Sequence, residues 1–373
     1  MNILILTSNT GGGHLKATEA IYEHIKHKNL DYNIKIINTL NNINPSFNKL
    51  ITSFYTECVK KCPDLFGKIY YYSEENHVSI NIFNLILKNL AKKLLPIILD
   101  FKADIIISTH PFSTQMVSYL KKLKNIPKVK LINLLTDYAP HKFWIYDNVD
   151  AYITASEQMV DDMIQRGVNK DIIYPIGIPV SVDFLKPYDK KEVLNSIGFD
   201  EDRFTILIMS GSMGVEYVIK IFNLLITINR KLQIIIVTGS NEYLYKKFNT
   251  IISNYSGNFI EFLLLGFTKE VSKYMSVSDV IITKPGGLTL TEAIFSELPI
   301  VFFDAIPGQE EKNADFIIKN NIGMRITKRQ ESIDKFVELI DNPKILDLFK
   351  NNIEKIKKIN FIENLVDIIN NLG

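Results

Sequence analysis

The chain has 373 residues, more than one typical domain, and the natural division is two domains of about 100–200 residues each. Hydrophobic residues make up 46% and charged residues 23%, which excludes a disordered chain, and a net charge of +2 gives no footprint for nucleic acid. Cys58 and Cys62, the only cysteines, have no His or Cys partners at zinc-site spacing and read as reduced thiols of a cytoplasmic protein.

Met1 to Ser8 is apolar, lacks a basic flank and runs straight into glycines, so it reads as a first strand, Ile3–Thr7, and not as a signal peptide. Gly11-Gly12-Gly13-His14 does not fit the spacing G-x-G-x-x-G, which rejects a dinucleotide fingerprint. The glycines instead let backbone approach a ligand closely, with His14 opening a helix that Ala17 to Ile25 continues. After a second strand, Ile34–Asn38, two apolar stripes have helical spacing: Phe47, Leu50, Ile51, Phe54, Tyr55, Cys58 and Val59, then Ile82, Phe83, Ile86, Leu87, Leu90, Leu94, Ile97 and Ile98. Such helices either pack on their own sheet or lie on a membrane surface. Lys88, Lys92 and Lys93, with the aromatics Phe66, Tyr70, Tyr71 and Tyr72 between the stripes, favour an anionic membrane surface for part of this region. Charges interrupt Ile80 to Leu99, so no membrane-spanning helix is expected.

Strands are predicted next at Ile105–Thr109, Leu131–Thr136, Ala151–Ala155 and Ile172–Ile176. His110, Asp137 and His141 follow the ends of two of them, and with His14 they would share one edge of a parallel sheet. A lone histidine is more often a structural hydrogen-bonder than a catalyst, and taken singly His110 and His141 read that way. Gly177-Ile178-Pro179-Val180 reads as the interdomain junction, dividing the chain into 1–178 and 179–342, with terminal helices in 343–373.

Beyond the junction the pattern restarts with strands at Phe204–Ser210, Leu232–Thr238, Phe259–Leu265, Val280–Thr283, Ile300–Phe303 and Met324–Ile326. Strand runs alternating with helix-period segments give an α/β chain with two Rossmann-like units. Asp200-Glu201-Asp202 spells the metal-binding D-x-D, but it precedes a strand and reads as a surface turn. Ser210-Gly211-Ser212-Met213-Gly214 is an anion-friendly turn between strand and helix. The segment from Lys284 to Asn313 is the densest in chemistry. A buried strand stops at Lys284-Pro285-Gly286-Gly287, and a helix begins at once with Leu288 and Thr289, placing bare N–H groups where aligned peptide dipoles favour a phosphate. Glu292, over one turn along, can accept from both hydroxyls of a ribose. A following strand ends in the polar loop Pro307-Gly308-Gln309-Glu310.

This stretch resembles the donor-binding region of the glycosyltransferase family that includes monogalactosyl-diacylglycerol synthases, bacterial processive diacylglycerol glucosyltransferases and, more distantly, the peptidoglycan N-acetylglucosaminyl transferase. The resemblance covers nearly the whole chain and implies the GT-B arrangement, two Rossmann-like domains facing across a cleft, with the last helices packing back on the first domain. It gives Gly286 and Gly287 to the diphosphate, Glu292 to the ribose, and Gln309 and Glu310 to the sugar, with Gly13, Leu288 and Thr289 also among the donor-binding residues. Gly211 and Ser212 would also touch the diphosphate, and Phe267 and Thr268 would lie at the uracil edge, although Phe267 suits a core equally well.

In the first half, Gly13-His14 matches the family's Gly-His turn between donor and acceptor, and Thr136 to Trp144 matches a TD-x3-H-x2-W segment. His14 and Asp137 are therefore the catalytic candidates, one the base and the other its partner, with His110, His141 and Trp144 on the acceptor side. The region from Phe54 to Glu75 resembles the diacylglycerol branch. The resulting expectation is an inverting, metal- and cofactor-independent transferase that moves glucose or galactose from UDP to diacylglycerol at the cytoplasmic membrane face. A UDP-sugar 2-epimerase and a catalytically silent nucleotide-sugar sensor are the rivals.

Overall fold

The computed structural model describes residues 1–8, 12–28, 30–75, 78–209, 215–303 and 305–373. The chain divides into two compact units, one of Met1–Val182 with Pro307–Gln309 and Lys358–Gly373, the other of Asp183–Ile306 with Glu310–Lys357.

The first unit opens with β1 (Asn2–Thr7), α1 (Gly13–His27), β2 (Asn33–Asn38), α2 (Thr39–Ile43), α3 (Pro45–Lys61), α4 (Pro63–Glu75) and α5 (Val78–Phe101). It continues through β3 (Ile105–Ser108), α6 (Pro111–Lys122), β4 (Lys130–Leu134), β5 (Ala151–Ile153), α7 (Gln158–Gln165) and β6 (Ile173–Tyr174). Its strands form one parallel sheet in the order β2-β1-β3-β4-β5-β6. Ile3 to Leu6 of β1 and Ile105 to Ile107 of β3 are fully buried. A parallel strand covered by helices on both faces has no polar side to alternate with, which is why these segments are continuous aliphatic runs. The chain winds one way from β1 to β2 and the other way from β3 to β4, so the switch point lies between β1 and β3. Their register sets Leu6 beside Ser108, and the loops that follow leave from adjacent positions on the carboxyl edge.

The second unit contains α8 (Lys190–Ser196), β7 (Phe204–Met209), α9 (Val215–Leu225), β8 (Leu232–Val237), α10 (Glu242–Ser253), β9 (Ile260–Leu265), α11 (Val271–Val277) and β10 (Val280–Thr283). Then come α12 (Gly287–Phe295), β11 (Ile300–Phe302), α13 (Gln309–Lys319), β12 (Gly323–Arg325), α14 (Gln330–Asp341) and α15 (Pro343–Ile356). The strand order β12-β11-β10-β7-β8-β9 is that of the doubly wound dinucleotide fold, with its switch point between β7 and β10. Thr283 pairs with Met209 there, so the turn that begins at Lys284 sits where such sheets receive ligands.

The last helix, α16 (Phe361–Leu372), belongs to the first unit. Lys28 pairs with Glu363 at 2.6 Å, and Lys358 pairs with Glu157 at 3.0 Å. Of the terminal segment expected to pack back on the first domain, only this part does so. α15 stays with the second unit, against α12 and α14, because its buried stripe of Leu346, Phe349 and Ile353 has its partners there. The units part after Val182, slightly beyond the expected 178. His24 Nε2 meets the Val180 carbonyl at 2.9 Å and Glu23 accepts from the Ser181 hydroxyl at 2.8 Å, tying that stretch to α1.

The two apolar stripes have different fates. On α5, Leu87, Leu90, Leu94 and Ile98 are buried, and the helix packs on α6 and β1, so this part of the stripe is core; Ile86 is exposed, and the side chains of Ile82 and Phe83 lie outside the described residues. Lys88 lies over the Tyr119 ring at 5.6 Å. On α3 and α4, by contrast, Leu50, Phe54, Leu65, Ile69, Tyr71 and Tyr72 stand exposed. No helix among the described residues is long and apolar enough to cross a membrane.

The pairing of β11 with β12 supplies a test of the fold. A Cβ on Gly323 would stand 1.9 Å from the Ile300 carbonyl oxygen, a backbone atom that cannot turn aside. Gly323→Ala is expected to cost about 1–3 kcal/mol, the usual range for overpacking. At about 2–4 °C per kcal/mol the melting temperature should fall measurably. An unchanged melting temperature would show that the β12 edge yields freely.

Candidate active site

In the first unit, the switch point brings together groups far apart in sequence. His14, in the first turn of α1, contacts the Thr136 hydroxyl through Nδ1 at 3.1 Å. Its ring stands edge-on to His110, centroids 4.8 Å apart, and 6.0 Å from the Trp144 ring. The Thr109 hydroxyl donates to the His14 carbonyl at 3.2 Å and the Thr18 hydroxyl donates to it at 3.0 Å, so both strand loop and helix fix this turn. Burial pushes the His14 imidazole down to about 4, with the Thr109 backbone opposing. It is therefore neutral near pH 7, which leaves a nitrogen lone pair for a proton.

His110 and His141 have structural partners. The Phe112 N–H donates to His110 Nδ1 at 3.3 Å, capping α6, and the Phe143 N–H donates to His141 Nδ1 at 3.1 Å, capping the short 3₁₀ turn Lys142–Trp144. An Nδ1 that accepts is unprotonated, so in each neutral ring the proton sits on Nε2. For His141 that nitrogen reaches the Tyr70 carbonyl and the Ser73 hydroxyl, both at 3.3 Å, and Glu74 at 3.5 Å. Burial lowers both pKa values, followed for His110 by the neighbouring His14 and opposed for His141 chiefly by Glu74. Glu74 is itself held by Arg166 at 2.7 Å.

Asp137 is buried in the loop after β4, and its Oδ2 accepts a short hydrogen bond from Gln309 Nε2. The sequence placed these two residues in separate roles without linking them. Pro307–Gln309 in fact group with the first unit.

In the second unit, α12 starts at the switch point. Gly286 is its N-cap residue and has no side chain to offer; a Cβ there would meet nothing within 4 Å. Leu288 is buried, Thr289 is partly exposed, and Glu292, one turn further along, is buried. First-turn N–H groups of a helix have no intrahelical acceptor, so this end can receive an anion. Glu310 Oε2 accepts from the Ile306 N–H at 2.8 Å and lies 3.7 Å from the Lys284 ammonium. Lys284 was missed as a site residue. Its only signal in the sequence was its place at the strand end, immediately before the glycines.

Phe267 follows β9 and is 74% exposed, which removes it from the core. Thr268 accepts through its hydroxyl from the Glu270 N–H at 3.0 Å. Gly13 is the first residue of α1, whereas Gly211 and Ser212 lie outside the described residues. The D-x-D stretch forms a turn at the amino end of β7. There Asp200 accepts from the Asp202 N–H at 3.0 Å and Glu201 pairs with Lys191 at 2.6 Å.

Residues 14–180 match the monogalactosyldiacylglycerol synthase family and residues 205–372 match the glycosyltransferase family 28 C-terminal domain. The chain is 27% identical over 369 residues to a processive diacylglycerol β-glucosyltransferase of Bacillus licheniformis, covering 99% of this chain and 94% of that one. The protein of the same name from Staphylococcus carnosus is 29% identical over 349 residues, 92% of this chain and 86% of the other. Among solved structures, MurG of Acinetobacter baumannii superposes with a TM-score of 0.65 at 12% identity, over 99% of each chain. The Neisseria meningitidis UDP-GlcNAc 2-epimerase bound to UDP-GlcNAc gives 0.60 at 13%, also over 99% of each. The fold is GT-B, and the two matched domains account for most of the chain. The chain thus joins a monogalactosyldiacylglycerol synthase domain, in residues 14–180, to a glycosyltransferase family 28 C-terminal domain, in residues 205–372.

Proposed function

We propose that this protein transfers a hexose, glucose or galactose, from its UDP form to the hydroxyl of diacylglycerol, with inversion, giving a β-glycosyl lipid. The observation that carries the reading is the pairing of the two family matches, over residues 14–180 and 205–372, with relatives named as diacylglycerol β-glucosyltransferases aligned over nearly the full chain. A 2-epimerase with the same fold has no need of the exposed apolar surface on α3 and α4. That surface supports a lipid acceptor.

In this reading the second unit binds the nucleotide. Phe267 and Thr268 meet the uracil, Glu292 takes the ribose hydroxyls, and the N-terminus of α12, with Gly211 and Ser212, takes the diphosphate. Oriented N–H groups stabilise the charge that grows on the leaving UDP as its bond to the anomeric carbon breaks, so no metal is required. Gln309 and Glu310 hold the sugar, with Lys284 steadying the Glu310 carboxylate. The lipid hydroxyl attacks the anomeric carbon and gives its proton to His14, whose burial keeps it in the basic form. Asp137 orients the site, and His110, His141 and Trp144 line the acceptor side. Leu50, Phe54, Leu65, Ile69, Tyr71 and Tyr72 are proposed to rest on an anionic membrane from the cytoplasmic side, a peripheral association.

Incubating the protein with UDP-glucose or UDP-galactose and diacylglycerol vesicles in excess EDTA should yield glycolipid and UDP. Release of UDP without a lipid product would favour an epimerase, and loss of activity restored by Mg²⁺ or Mn²⁺ would overturn metal independence. Glu292→Ala is expected to raise the donor KM about tenfold or more, because hydrogen bonds to a charged acceptor are worth about 1.5–3 kcal/mol each. His14→Ala should instead lower kcat by about 10²–10⁴. A base lowered to about 4 is unprotonated throughout the neutral range, so the acid limb of kcat/KM should fall near pH 4 and not near the ordinary 6.5. A midpoint between about 6 and 7 would contradict the burial shift of His14, and an acid limb that stays unchanged in His14→Ala would exclude His14 as the base. Leu65→Glu with Ile69→Glu should reduce vesicle sedimentation and leave UDP affinity unchanged; undiminished sedimentation would place the membrane contact elsewhere.

A further inference from the structure

Helix α4 has two faces with different neighbours. Leu65, Ile69 and Tyr72 recur at steps of four and three and are exposed. Phe66, Gly67, Tyr70, Ser73 and Glu74 occupy the face about 100° further round, and all are buried or half-buried. Two contacts on this inner face leave no spare room. A Cβ on Gly67 would stand 2.5 Å from Pro307 Cβ, and a Cβ on Gly308 would stand 2.6 Å from Tyr70 Cδ1 and Cγ. The Tyr70 ring therefore lies against the bare face of Gly308. Tyr70 also contacts the His141 ring, centroids 4.3 Å apart, and its carbonyl accepts from the Ser73 hydroxyl at 2.7 Å.

Gly308 has φ +95°, a conformation that glycine adopts freely and other residues rarely do. Alone, such a residue would let the loop swing. The next residue is Gln309, whose amide donates to Asp137. The direction of that amide depends on the backbone at Gly308, and the ring of Tyr70 removes the freedom that the glycine confers. Burial, and then the charges of Asp137 and Glu74, push the Tyr70 phenol well above its ordinary value, so the ring is a neutral, fixed body.

Resting on the transferase reading, we infer that Tyr70 is a positioning residue for hexose recognition. Packed on Gly308, it sets Gln309 on Asp137, so the helix with the exposed apolar face also holds the sugar-contacting loop. The ring does this, not the hydroxyl. A reacting group displaced by about 1 Å can lose about 10²-fold in rate, so truncating the ring should be felt in kcat although no nucleotide contact changes.

The test compares full-length wild type with Tyr70→Ala and Tyr70→Phe, using UDP-glucose and UDP-galactose with diacylglycerol vesicles, and measures UDP affinity separately by calorimetry. Tyr70→Ala should lower kcat about tenfold or more and bring the kcat/KM values for the two donors closer together, while the Kd for UDP stays within about twofold. Tyr70→Phe should retain kcat within about threefold. The inference is overturned if Tyr70→Ala keeps wild-type kcat and donor preference, if UDP affinity falls in proportion to kcat, or if Tyr70→Phe is as impaired as Tyr70→Ala. Failure of the wild type to turn over either donor would instead remove the transferase reading, and this inference with it.

Discussion

Parallel strand pairing is the constraint on which the rest of this structure depends. A parallel sheet needs a crossover between successive strands, the crossovers bury both faces, and every strand then delivers its following loop to the same edge. Where the winding reverses, two loops part and leave a crevice. The switch of the first unit, between β1 and β3, holds His14 and His110 with rings 4.8 Å apart although 96 positions separate them. In the second unit the switch, between β7 and β10, holds the turn at Lys284. The chemistry collects where topology leaves space.

Burial then decides the protonation of what collects there. Three histidines of the first unit's edge have pKa values pushed below the ordinary imidazole range, and burial is the largest cause for each. Two of them use Nδ1 to cap a helical turn, which fixes ring and tautomer and gives each a structural task. His14 differs, since its Nδ1 meets a threonine hydroxyl that can donate or accept. A neutral ring beside a hydroxyl can exist as either tautomer, whereas a ring whose Nδ1 accepts from a backbone N–H is held in one.

The strands were legible because fully buried parallel strands are short aliphatic runs closed by turn residues, and each predicted run corresponds to an observed strand to within a few residues at its ends. The glycine turn at Gly286 was legible for a related reason: a helix start directly after a strand is a local pattern. Less was visible where a property depends on distant partners. The stripe of Leu87, Leu90 and Leu94 has the spacing of either a core or a membrane helix, and only α6 and β1 decide that it is core. The association of Gln309 with Asp137 spans 172 positions and has no sequence signature. The separation of α15 from α16 was equally hidden, because both are amphipathic and spacing alone does not name the surface each one meets.

The fold by itself does not separate the possible activities, since MurG and a UDP-GlcNAc 2-epimerase superpose on the chain about equally well, with TM-scores of 0.65 and 0.60. The distinction has to come from parts added to the common frame. In the first unit the connection from β2 to β3 carries four helices, α2 to α5, where most Rossmann crossovers need only a single helix. Its inner surface is ordinary core, and α4 presses Gly67 and Tyr70 onto Pro307 and Gly308. Its outer surface shows Leu50, 64% exposed, and Phe54, 58% exposed, together with Leu65, Ile69 and Tyr72. Scattered exposed apolar residues need no explanation, whereas these gather on two consecutive helices, α3 and α4. One segment therefore has two neighbours: its inner face packs on the loop that carries Gln309, and its outer face leaves apolar side chains uncovered.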